Sequence, residues 1–86
     1  MLVVRLVDVP VRVTLNGSNE PQPTAFQWRG RTHRIARIVD HWRYVGRWWL
    51  GEGEWRFVKV ETTDGGVFEL YFDAKAAEWR LYRVYD

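Results

Sequence analysis

Eighty-six residues leave room for a single hydrophobic core. The chain carries 13 Lys+Arg against 11 Asp+Glu, is 47% hydrophobic, and holds six Trp and no Cys. These values exclude a disordered tail, a disulfide scaffold, a thiolate metal knuckle and a cysteine nucleophile. No apolar run is long enough to cross a membrane, and Arg5 and Asp8 interrupt the N-terminal apolar segment. The expectation is a soluble cytoplasmic domain without a secretion signal. With so short a chain, most of the Trp and Phe residues are expected in the core.

Positions 2–15 alternate apolar and polar residues around Pro10, which cannot donate to a ladder. One long strand or two short ones broken at Pro10 is expected. Residues 16–23 have turn composition and read as a loop. Phe26–His33 reads as two strands around a tight turn at Arg29-Gly30 or Gly30-Arg31. In Thr32–Val45, Ile35, Ile38, Val39 and Trp42 have the spacing of one helix face. The β-branched content and the hairpin before it favour a strand that bends or bulges near Ile38–Asp40, with a helix as the alternative. Gly46 and Leu50–Glu54 mark loops. Trp55–Thr62, the turn Thr63-Asp64-Gly65-Gly66, Val67–Asp73 and Trp79–Tyr85 make two further hairpins. The sum is an all-β antiparallel barrel or roll of about six short strands, forming one domain over residues 1–86.

The basic residues are 11 Arg and two Lys, and they are unevenly placed. Segment 29–47 holds Arg29, Arg31, Arg34, Arg37, Arg43 and Arg47 against Asp40, a balance of +5. Residues 48–86 hold five bases and eight acids. Trp-Arg neighbours recur at 28–29, 42–43, 55–56 and 79–80. Because adjacent strand residues diverge, this pattern predicts indoles inside and guanidiniums outside. Two readings stay open. The arginines form a face for an anionic partner, nucleic acid above all, with Trp48 or Trp49 stacking bases. Alternatively they pair across strands with Glu54, Glu61, Glu69 and Glu78 and keep the barrel soluble. Trp48 and Trp49 are either partner contacts or a plug over the barrel end.

Catalytic chemistry finds little support. His33 and His41 do not form a metal-ligand pattern, and no metal or other cofactor is expected. Asp40-His41 is not accompanied by a suitably placed nucleophile, since the one Ser, Ser18, lies in a loop. Glu52 and Glu54, between glycines, read as solvated rather than as a glycosidase pair.

Taken together, Phe26–Arg31, Ile38–Arg43, Gly46-Arg-Trp-Trp, Gly65–Tyr71 and the ending Trp79–Asp86 resemble a family of small bacterial domains of unknown function. That family is similar to the C-terminal tail domain of ImuB-type proteins, non-catalytic relatives of translesion DNA polymerases. The resemblance covers about residues 24–86, with the first 23 looking peripheral. It implies an accessory, non-enzymatic role linked to DNA damage tolerance and carries over no catalytic or ligand residue. The leading expectation is therefore a non-catalytic module binding an anionic partner through the six arginines. The alternative is a protein-interaction or self-associating module using Trp79–Tyr85 as an edge strand.

Overall fold

A computed structural model describes residues 3–85, the Trp48 side chain excepted. Seven strands follow one another: β1 (Val4–Pro10), β2 (Arg12–Leu15), β3 (Pro23–Trp28), β4 (Arg31–Val45), β5 (Glu54–Thr62), β6 (Val67–Asp73) and β7 (Glu78–Tyr85). One 3-10 turn, Trp48–Leu50, interrupts the series, and the described residues include no α-helix. The all-β expectation holds.

All strands are antiparallel, in the order β1-β7-β6-β5-β4-β3-β2. β1 and β2 are separated in sequence by Val11 alone, yet they occupy opposite ends of that order. Only a curled sheet permits this. The first half of the N-terminal segment pairs with β7 and the second half with β3. At the junction the Val11 N–H donates to the Trp79 carbonyl at 3.1 Å. The result is a partly closed barrel, and residues 4–15 close it.

Register fixes which side chains share a face, because residues directly opposite in antiparallel strands point the same way. The inner rows are Ile38–Val60–Phe68–Val84 and His41–Val58–Leu70–Leu81. Val60, Leu70 and Leu81 are fully buried, and Phe26 from β3 closes over them. Half-buried Val9, Val11, Val13, Trp28, Ile35 and Trp79 pack around this centre.

β4 is a 15-residue strand throughout, and its helix-like spacing has a specific cause. Its register against β5 slips twice, between Ile35 and Arg37 and between Ile38 and Asp40. Ala36 and Val39 are the inserted residues. A bulge turns the period of two into three, so Ile35 and Ile38 both face inward. Without the slips, Arg37 and Val39 would point into the core instead. Val39 is 43% exposed, and the Arg37 guanidinium lies outside, 3.2 Å from Glu61.

Arg29-Gly30 makes the β3–β4 turn with both residues at positive φ (52° and 71°), the two-residue hairpin geometry. Gly46 is required for a different reason. A Cβ there would meet Glu52 Cβ at 2.7 Å, where the loop folds back and the Gly46 N–H donates to the Gly53 carbonyl.

A polar latch ties β1 to the outer side of β6 and β7. Asp8, at φ 49°, accepts hydrogen bonds from Tyr71 Oη (2.7 Å) and Arg80 Nε (2.9 Å). A second Arg80 nitrogen donates to the Asp8 carbonyl and a third to Glu78. Partial burial by itself raises the Asp8 carboxyl, but the Arg80 and Tyr71 hydrogen bonds outweigh it and hold the pKa below the ordinary value. Burial, and then donation to Asp8, push the Tyr71 phenol from 10.0 up to about 12.

Ile38→Ala should cost about 2 kcal/mol in urea unfolding, whereas Val39→Ala should stay within about 0.5 kcal/mol. Equal losses would contradict the bulged register. In Asp8→Asn, the Tyr71 phenol should titrate below about 12 yet above 10.0, because burial persists while the anion is gone. Asp8 has a depressed folded pKa, so its stabilising contribution is present above the ordinary carboxyl range and lost as pH falls through the folded value. The acid-side loss should therefore shrink in the variant, read by unfolding between pH 5 and pH 2 (roughly, the range in which a depressed carboxylate protonates).

Candidate functional site

The six arginines expected to form one surface are dispersed around the barrel. Arg29 lies in the β3–β4 turn, and Arg31 begins β4 beside Asp64 at 3.2 Å. Arg34 faces outward opposite Ala25. Arg37 faces outward with Glu61 at 3.2 Å. Arg43 sits on the inner side at the open end, 3.5 Å from Glu54. Arg47 lies beyond β4, with its N–H on Glu52 at 2.7 Å and its Nε 3.6 Å from the same carboxylate. Four of the six thus have carboxylate neighbours, and no two of those four share an acid. A single arginine face does not form. The physical reason is twofold: the turn removes Arg29, and the bulges in β4 put Arg37 and Arg43, an even six residues apart, on opposite sides.

The Trp-Arg pairs behave unevenly. Trp79 packs inward and Arg80 points outward, as expected. At 42–43 and 55–56 the order is reversed. Trp42 and Trp55 lie on the outer face, and Arg43 and Arg56 face each other on the inner side. In the turn, Arg29 stacks over its own neighbour Trp28 at 4.5 Å, because positive φ breaks the alternation that separates strand neighbours. Trp49 is 65% exposed in the 3-10 turn, and the Trp48 side chain lies outside the described residues.

What the outer face does assemble is aromatic. The row Trp42–Phe57–Tyr71–Arg80 crosses four strands, and Tyr44–Trp55–Asp73–Glu78 runs beside it. Trp42 stacks on Phe57 at 5.4 Å and 4°, and Tyr44 on Trp55 at 5.1 Å and 18°. Tyr82, the inserted residue where β7 slips against β6, turns onto the same face. It meets Phe57 and Tyr71 edge-on at 5.5 and 5.6 Å. These six rings floor a groove of about 650 Å³. Trp42 is 39% and Tyr44 53% exposed.

Charged groups rim the groove: Asp8, Glu69, Asp73 and Glu78 against Arg43, Arg80 and Arg83. Glu69 lies between Lys59 and Arg83 in register and is only 3% exposed. Tyr85 donates its hydroxyl to Glu69 Oε1, whereas Oε2 has no hydrogen-bond partner and lies 3.9 Å from Arg83 Nε. Burial, followed by that donation to Glu69, raises the Tyr85 phenol above its ordinary value.

The residues weighed for catalysis are engaged otherwise. Asp40 accepts the backbone N–H of His41 at 2.8 Å rather than its ring. Half-buried His33 stacks on Phe26 at 5.0 Å. Glu52 closes the 46–53 loop, and Glu54 lies between Arg43 and Arg56. Among the described residues, no three His, Asp or Glu side chains converge as a metal site. No helix among them is long and apolar enough to cross a membrane.

The C-terminal strand is not an edge. β7 lies between β6 and β1 and is hydrogen-bonded on both sides, so Trp79–Tyr85 offers no free ladder for a partner or a second copy. Sequence alternation pointed to the wrong side of β5 as well. Its visible signal was that both faces of Trp55–Val60 are apolar (Trp55 and Phe57 on one, Val58 and Val60 on the other), which a one-sided barrel wall does not need.

Two curated relatives carry the name Protein ImuB, from Caulobacter vibrioides strains NA1000 / CB15N and ATCC 19089 / CIP 103742 / CB 15. Each is 30% identical over 98 aligned positions, covering 95% of this chain and 21% of the relative. The chain thus spans about a fifth of the length of these relatives. No solved structure matches it. The family described as a domain of unknown function, DUF6504, matches residues 2–86, so β1 and β2 are part of the shared domain rather than peripheral to it. The chain belongs to this DUF6504 family.

Proposed function

We propose that the domain is a non-catalytic protein-docking module, acting in the DNA damage tolerance setting that similarity to ImuB suggests. Its contact surface is the outer aromatic face of β4–β7. The observation that carries this reading is the groove floored by Trp42, Tyr44, Trp55, Phe57, Tyr71 and Tyr82 with a mixed-charge rim. Aromatic centres inside polar rims are the anatomy of protein interfaces, where Trp and Tyr supply most of the binding energy.

Charge favours a protein over a nucleic acid. The groove is bordered by Arg43, Arg80 and Arg83 against Asp8, Glu69, Asp73 and Glu78. Three bases against four acids offer a phosphate backbone no net attraction, however well the rings could stack bases. Arginine-mediated nucleic-acid binding rests instead on Arg12 of β2 and on Arg34, at the β3-paired end of β4, neither of which lines the groove.

The test uses the whole domain as bait in extracts of cells exposed to DNA damage, followed by titration of the recovered protein. Trp42→Ala with Tyr82→Ala should weaken that complex about 30-fold, as two lost aromatic contacts imply. Arg12→Ala with Arg34→Ala should leave it within about threefold, as substitutions outside an interface do. Binding to single-stranded DNA that falls with salt and disappears in the arginine variant would overturn the protein reading in favour of the anionic one.

A further inference from the structure

On the other side of the same strands, the inner row at the open end of the barrel reads Arg43–Arg56–Phe72–Trp79. Below it lies a hollow of about 470 Å³ walled by Leu15, Pro23, Ile38, Val58, Phe72 and Trp79. Phe72 and Trp79 contact at 5.4 Å and 56°, forming an aromatic corner. Two guanidiniums directly opposite one another repel. Both lie against a single carboxylate oxygen: Glu54 Oε1 is 3.5 Å from Arg43 Nη1 and 3.2 Å from Arg56 Nε. One acid for two bases leaves the rim of an apolar cavity with one positive charge in excess.

We propose that the barrel mouth is a binding site for a small molecule with a compact apolar body and an anionic head, either carboxylate or phosphate monoester. The body lies against Phe72 and Trp79, and the head takes the guanidinium donors that Glu54 leaves unused. Each Arg offers five N–H donors in a fixed fork, so one carboxylate cannot occupy both. The cavity has the size and character of small-molecule sites, mostly apolar with a few convergent polar groups, and barrel mouths are a common place for them. Trp42, Arg43 and Phe57 border both hollows, whereas Arg56 lines only the mouth and Tyr82 only the aromatic groove, so substitutions at these last two separate the sites.

The experiment titrates the intact domain by calorimetry with 2-naphthoate, 2-naphthyl phosphate and the neutral 2-naphthamide. At least one anion should bind one-to-one, and the amide at least about tenfold more weakly. The tighter anion identifies the head group. Arg56→Ala should weaken the anion about tenfold or more without changing the thermal midpoint beyond a few degrees, since its side chain is 67% exposed. Glu54→Gln, which removes the competing acid, should tighten binding, and Tyr82→Ala should leave it unchanged. Equal affinity for amide and anions, indifference to Arg56→Ala, loss in Tyr82→Ala, or no saturable binding at millimolar concentration would each overturn the assignment.

Discussion

Side-chain parity along β4 governs both faces of this barrel. A strand has two sides, and one inserted residue exchanges them. Ala36 introduces an exchange and Val39 cancels it, so only the short stretch between them is inverted. Inversion there moves Ile38 into the core and sends the Arg37 guanidinium out to Glu61. Burying that guanidinium in the row of Val60 and Phe68 would cost several kcal/mol, on the order of the desolvation penalty for an ion in a protein interior. Beyond Val39 the original parity returns, placing Trp42 and Tyr44 outside and His41 and Arg43 inside. Arg43 is tolerated on the inner side because its row lies at the open end, where the guanidinium remains wet.

Closure by residues 4–15 is the second requirement. A sheet of this order has two terminal strands, and exposed edges recruit other chains. Here one continuous segment is shared between both ends, with Val11 joining the β7 ladder as β2 begins. The arrangement removes β7 from the edge and makes the N-terminal segment part of the barrel wall. The latch at Asp8 reinforces it at the point where β1 slips against β7, exchanging backbone regularity for hydrogen bonds to two strands. The slip and the latch are one feature: positive φ at Asp8 turns its carboxylate outward towards Arg80 while Val7 and Val9 keep their core contacts.

Hairpins were legible because their turns are written in local chemistry. Arg29-Gly30 and Thr63–Gly66 need positive φ or a short reversal, and Gly30 and Gly65 supply it at φ 71° and 88°. The bend in β4 was legible as a conflict between β-forming residues and a helical spacing. The arginine face was not, for a physical reason. Clustering in sequence becomes clustering in space only within one unbroken parity, and segment 29–47 contains a turn, two bulges and a loop. The acids that neutralise Arg31 and Arg37 lie 33 and 24 residues away, a separation that no local pattern reveals. The aromatic groove was hidden similarly, since Trp42, Phe57 and Tyr71 meet only through the β4–β5–β6 register.

Could the outer rings be there for stability alone? Each stacked or edge-on pair adds about 0.5–1.5 kcal/mol beyond area burial, so the ladder from Tyr44 to Tyr82 does strengthen the sheet. A stability role favours rings tucked among themselves with their edges shielded. Phe57 meets that description, packed between Trp42, Tyr71 and Tyr82. Trp42 and Tyr44 do not: each has one face on a neighbour and much of its surface in water, on a barrel too small to cover them with another layer. Their burial against a partner would remove apolar area from water at about 25 cal/mol per Å², and preformed stacking means little side-chain entropy is lost on contact. Under the proposed docking role, the exposed area of Trp42 and Tyr44 is what a partner covers.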